Sequence, residues 1–143
     1  MSEDTIELLR ECDAGVKMGI ASLDQVLDKI QNKKMQDIIG DSKNAHAVLE
    51  NELRGMIDKA GAQPGEPNPI AKGMSWMKTN FKTCMEEGDK TIADLITDGC
   101  DMGVKSLRKY LNQYERADKE SKDMCRRIID TEEDLRNRMK EFL

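Results

Sequence analysis

Leu9, Val16, Leu23 and Ile30 recur every seven residues, and Ile6, Ile20 and Leu27 supply a second seam beside them. On a helix of 3.6 residues per turn this spacing draws one continuous apolar stripe along a face, so it predicts a helix over about 4–31. A stripe of that length has to be covered by other elements, and the next segment offers one. After a break at Asn32-Lys33, the residues Met35, Ile38, Ala45, Leu49, Leu53, Met56 and Ile57 predict a second helix over about 34–60. Gly40 and Gly55 fall inside it, where each costs about 1 kcal/mol relative to Ala. The short connection makes the two helices an antiparallel hairpin.

All three prolines lie in the loop that follows, 61–69, where Gly61 is placed to cap the helix C-terminus. A shorter helix is expected over 70–85, with Trp76 anchoring it to the rest. Gly88-Asp89 reads as a break with Asp89 as N-cap. Two further helices are expected over about 90–116 and 119–142, the last with Met124, Ile128, Leu135 and Met139 on its apolar side.

Cys12-Asp-Ala-Gly-Val-Lys17 and Cys100-Asp-Met-Gly-Val-Lys105 agree at five of six positions. At the same offset Leu23 meets Leu111 and Gln25 meets Gln113, and a small shift aligns Ile38-Ile39 with Ile128-Ile129. The economical reading is a duplicated helical hairpin. The stretch 61–89 between the copies is far longer than a hairpin turn needs. Two hairpins joined by one long crossover is the connectivity of ferritin-like bundles. The expected fold is therefore all-α: a ferritin-like antiparallel four-helix bundle in one domain, 1–143, with hairpins over about 4–60 and 90–143 and a short extra helix on the crossover.

Composition fits long helices with solvated outer faces. Charged residues make up 36%, against about 25% in ordinary domains, and aromatics only 3%. The net charge of −5 lacks the basic footprint of a nucleic-acid binder. No apolar run approaches the roughly 20 residues of a membrane span. The acidic start, Met-Ser-Glu-Asp-Thr, lacks the positive and apolar regions of a secretion signal. A cytoplasmic location is expected, and in reducing conditions Cys12, Cys84, Cys100 and Cys125 act as small apolar groups, since none makes a C-x-x-C pair.

Lys17-Met-Gly-Ile-Ala-Ser22, followed in the next helix by Asp41-Ser-Lys-Asn-Ala-His46, resembles a bacterial ferritin-like domain family of unknown function. The resemblance is best over roughly 4–60 and extends through the repeat over 90–143. Metal-binding ferritin-like proteins place a carboxylate on each of two helices and Glu-x-x-His on the other two. In this chain the pattern is degenerate. His46 is the sole histidine, with Lys43 three residues before it. The repeat-related pair is Glu133 and Arg136, and the first and third helices offer Asp13 and Asp101. Lys43 and Arg136 pointed at such a site would repel a cation. No cofactor is expected. Iron or another divalent metal, held by Asp13, His46, Asp101 and Glu133, is the alternative.

Asp13 and Asp101 each carry a Lys four residues on, Lys17 and Lys105. These pairs are either exposed i,i+4 ion pairs or, drawn to the bundle centre by a two-fold axis, one buried polar network replacing the metal. The network is the expected arrangement. Cys12 and Cys100, being repeat-related, could meet there, and Gly15 and Gly103 are expected to let helices approach closely. With one histidine, triad chemistry has little material. The expected function is that of a non-enzymatic bundle acting by protein binding or self-assembly, for instance as a homodimer. The alternative is a metal or redox protein with an atypical carboxylate/His site.

Overall fold

A computed structural model describes residues 2–65 and 88–143. Within them lie four α-helices and no strand: α1 Glu3–Leu27, α2 Lys33–Lys59, α3 Asp89–Gln113 and α4 Lys119–Met139, followed by a 3-10 turn, Lys140–Phe142. The helix expected over 70–85, with Trp76 and Cys84, lies outside the described residues.

Local chemistry sets the helix ends. Ser2, Asn32 and Asp118 each adopt extended backbone and accept a hydrogen bond from the amide three residues on, namely Thr5, Met35 and Ser121. Such caps satisfy one of the orphan donors of a helix start. At the end of α2, Gly61 takes φ 66, the left-handed conformation that glycine adopts most readily. Its amide donates to Asp58 and that of Ala62 to Ile57, a Schellman ending. Asp89 does not act as the N-cap of α3. Gly88 holds that position without a side-chain bond, and the Asp89 carboxylate instead accepts the amides of Gln31 (2.9 Å) and Asn32 (2.8 Å). The first helix stops at Leu27, where the amide of its cap residue Asp28 turns back to Val26. Ile30 therefore sits in the turn, though it is still buried.

The helix ends locate one another. The α1–α2 turn shares an end of the molecule with the start of α3 through Asp89, and with the residues after α4 through Lys34 and Glu141 (2.8 Å). The opposite end joins the start of α1 to the α3–α4 turn: the Arg116 amide donates to Asp4 (2.9 Å) and that of Asp118 to the Thr5 hydroxyl (2.8 Å). Helix α1 packs on α2, α3 on α4, α2 on α4, and α1 on both α3 and α4.

The core falls into two apolar clusters. One holds Leu8, Cys12, Val16, Leu49, Leu53, Leu107, Cys125 and Ile128; the other holds Leu23, Val26, Met35, Ile39, Ile92, Cys100, Leu135 and Met139. Fully burying each large aliphatic group contributes roughly 1.5–3 kcal/mol. The stripes are rotated from the expected ones. On α1, Leu8, Cys12 and Val26 are buried while Ile6, Ile20 and Leu27 are only half-buried. On α2, Ile39 and His46 face inward and Ala45 outward.

Candidate functional site

Between the two clusters α2, α3 and α4 contribute to a polar layer, and α1 faces it with a glycine. His46 on α2 is fully buried. Its Nδ1–H donates to the Ser42 carbonyl one turn back (2.7 Å), and its Nε2 lies 2.6 Å from Oε1 of Glu132 on α4. A carbonyl can only accept, so Nδ1 carries a proton, and the short Nε2 contact is a hydrogen bond to the Glu132 carboxyl. Burial alone would push the imidazole pKa down. The hydrogen bond and charge of Glu132, with the Ser42 carbonyl, outweigh it, and the histidine titrates above its usual value. The short contact and the upward shift both favour the protonated ring, paired with Glu132. Cys100 of α3 completes the layer: burial, then the adjacent Glu132 carboxylate, push its thiol well up, so it is unreactive as a nucleophile.

Glycines face this pair from the other two helices. A Cβ on Gly19 of α1 would stand 3.0 Å from Cδ2 and 3.1 Å from Nε2 of His46. One on Gly103 of α3 would meet Glu132 at 3.6 Å. Gly15, expected to allow close approach, has nothing within 4 Å. The imidazole ring occupies the space that a side chain at Gly19 would need.

A second polar group lies toward the end where α1 begins. Asp13 is buried, accepts the Gly65 amide on Oδ2 (2.9 Å) and pairs with Lys17 (2.9 Å). Lys17 also donates to the Gly65 carbonyl (2.9 Å). Glu50 on α2 is buried beside them and receives Arg54 (3.3 Å). Burial first, then the neighbouring Asp13, push the Glu50 carboxyl up to about 7, against Lys17 and Arg54.

The expected four-residue network does not form. Asp13 and Lys17 meet in the interior, but Asp101 and Lys105 are exposed. Asp101 pairs with Arg136 (3.0 Å) and Glu133 with Arg108 (3.8 Å) at the surface, and Lys43 pairs with Asp24 (2.5 Å). The alternative ligand set is likewise not assembled: of Asp13, His46, Asp101 and Glu133, only the first two are buried, and they belong to separate groups. Among the described residues no group of three or more His, Cys, Asp or Glu side chains could hold a metal ion. Cys12 and Cys100 lie in different clusters; Cys12 hydrogen-bonds to Cys125 instead, which raises the first thiol and lowers the second. Both are free thiols.

Glu132, Glu50, Ser42 and Gly19 stand outside the expected site. Glu132 had a signal: Cys125, Ile128, Glu132, Leu135 and Met139 follow the 3–4 spacing of one helix face. The repeat alignment pointed one residue further, to Glu133. No described helix is long and apolar enough to cross a membrane. No family model, curated protein or solved structure matches the chain.

Proposed function

We propose that the protein is a non-catalytic, ferritin-like bundle that acts by binding or self-assembly, with an ion pair standing where metal-bearing relatives of that architecture hold their cations. The observation that carries this is the commitment of both His46 nitrogens, one to Ser42 and one to Glu132. A metal at this imidazole would have to break the bond to Glu132 and take a lone pair now engaged in it. The donor set around it agrees. At the level of the pair, α1 and α3 present Gly19 and Gly103, whereas a dinuclear site needs a carboxylate from each of two helices.

The connectivity supports the ferritin-like assignment. The end of α2 lies with the start of α1, since Gly65 binds Asp13, while α3 begins at the α1–α2 turn. The connection from α2 to α3 therefore joins opposite ends, as a long crossover would, and gives an up-down-down-up order. Among the described residues the exposed large apolar side chains are Val48, Met102 and Leu143, on separate elements. A homodimer or heteromeric contact made through the described surface would accordingly be largely polar, as many non-obligate interfaces are.

Plasma mass spectrometry of the purified protein tests the proposal against its alternative. Substoichiometric metal is expected. Two metals per chain that depend on His46 and Glu132 would sink it. Sedimentation equilibrium tests self-assembly, with a dimer expected at micromolar concentration. A monomer that also captures no partner would leave the binding role without support.

A further inference from the structure

Asp13 and Glu50 are both more than nine-tenths buried, and each keeps one carboxyl oxygen, Asp13 Oδ1 and Glu50 Oε2, without a conventional donor among the described residues. Two buried carboxylate oxygens left bare would each incur a large desolvation cost. After burial itself, Asp13 is the chief influence holding the Glu50 carboxyl up, and two interior carboxyls that each keep a bare oxygen are relieved together when one of them carries a proton.

The same group holds a piece of backbone. Asp13 takes the Gly65 amide and Lys17 the Gly65 carbonyl, so both polar atoms of that peptide position are read by one ion pair on α1. Gly65 lies so close to the helix that an added Cβ would fall 1.9 Å from the Arg10 carbonyl oxygen. Arg10 itself pairs with Glu7 at the surface (3.5 Å). The charged groups acting on Glu50 are Asp13 and Lys17 of α1 and Arg54 of α2.

We propose that Asp13 and Glu50 share a single proton, and that this proton fastens the segment after α2 onto α1, so that its loss on alkalinisation releases Gly65. With the proton present, Asp13 bears one negative charge, balanced by Lys17, and its Oδ2 is free to receive the amide. Once the proton leaves, two carboxylates face each other in the interior with Lys17 as their nearest cation. Lys17 is drawn between them and away from the Gly65 carbonyl, and Asp13 is repelled from its position under the amide. Both bonds to Gly65 are lost together. Burial and the Asp13 charge place this event near neutrality, at about 7 for Glu50. The device does not depend on whether the bundle binds a partner or a metal.

Amide hydrogen exchange of the full chain by NMR, corrected for intrinsic rates, tests it. The protection of Gly65 should fall about tenfold or more between about pH 6 and about pH 8, while core amides such as Ile128 hold theirs. The Glu50 carboxyl carbon should titrate with the same midpoint. In Glu50→Gln the carboxamide donates to Asp13 at every pH, and Gly65 should stay protected at about pH 8. Unchanged protection of wild-type Gly65 across this range, a Glu50 midpoint below about 5, or undiminished pH dependence in Glu50→Gln would each overturn the proposal. If Glu50→Gln does not fold by circular dichroism, the wild-type comparison decides: coincident midpoints uphold the latch and separate midpoints reject it.

Discussion

A single imidazole decides how the middle of this bundle is built. Because His46 is fully buried and its Nε2 is satisfied by Glu132 alone, the stability of this layer rests on that carboxyl. Removing one partner of a buried pair strands the other and typically costs 3–5 kcal/mol. Glu132→Ala should fall in that range by urea denaturation, whereas the double replacement His46→Leu, Glu132→Leu should recover most of the loss; a single-mutant cost below about 1 kcal/mol would mean the pair is not dry. Glycines offer a second contrast on the same helix. Gly19→Ala forces a methyl group against a ring with no freedom to move, and should destabilise by about 1–3 kcal/mol. Gly15→Ala meets nothing and should stabilise by up to about 1 kcal/mol through helix propensity. Equal effects from the two would refute the close contact at Gly19. At this scale the sequence was only partly legible. His46 stood out as the sole histidine, but its partner could not be found by an i,i+3 rule, because the partner comes from another helix. Asp13 and Asp101 look alike as letters, yet one is buried and the other pairs with Arg136 outside.

The helices themselves were legible from apolar spacing and cap residues, since both are local properties. Gly61 ends α2 where the pattern placed it, and Asn32, read only as a break, caps the helix that follows it. Which residues of a stripe point inward was less clear, because a helix with seams on adjacent positions can rotate by a fraction of a turn at little local cost. Asp89 illustrates a limit of a different kind. An Asp at a helix start reads as a cap, but here it spans to another turn and binds two amides there. Asp89→Ala should therefore act at a distance. Exchange at Gln31 and Asn32 should accelerate, with a stability loss of about 1–2 kcal/mol, while the first turn of α3 changes little. If fraying appeared in α3 alone, the carboxylate would be an ordinary cap. Long-range bonds of this sort leave no trace in spacing, as the Gly65 clamp also shows.

At the level of the whole molecule, the buried titratable groups give stability a direction with pH. His46 is raised in the folded state, so its contribution is complete below its unfolded value of 6.5 and is lost as pH rises through the folded value. Glu50 is raised from 4.5 to about 7, so its contribution is complete below 4.5 and lost across that interval, roughly 3 kcal/mol at most. Asp98, exposed on α3 but partly desolvated and next to Asp94 and Asp101, has the same sign. Opposing them, Glu52 beside Arg127 and Asp123 beside Lys119 are lowered, so their support disappears as pH falls below the ordinary carboxylate range. Both of these are surface pairs that salt screens, and such pairs contribute little. The interior groups therefore dominate above about pH 5, and the free energy of unfolding should decline steadily toward about pH 8. Urea midpoints measured at fixed ionic strength across that range give the slope. Glu50→Gln should flatten its lower part, and the His46→Leu, Glu132→Leu double replacement its upper part. Stability that rose with pH through neutrality would show that neither interior pair holds its proton in the folded chain.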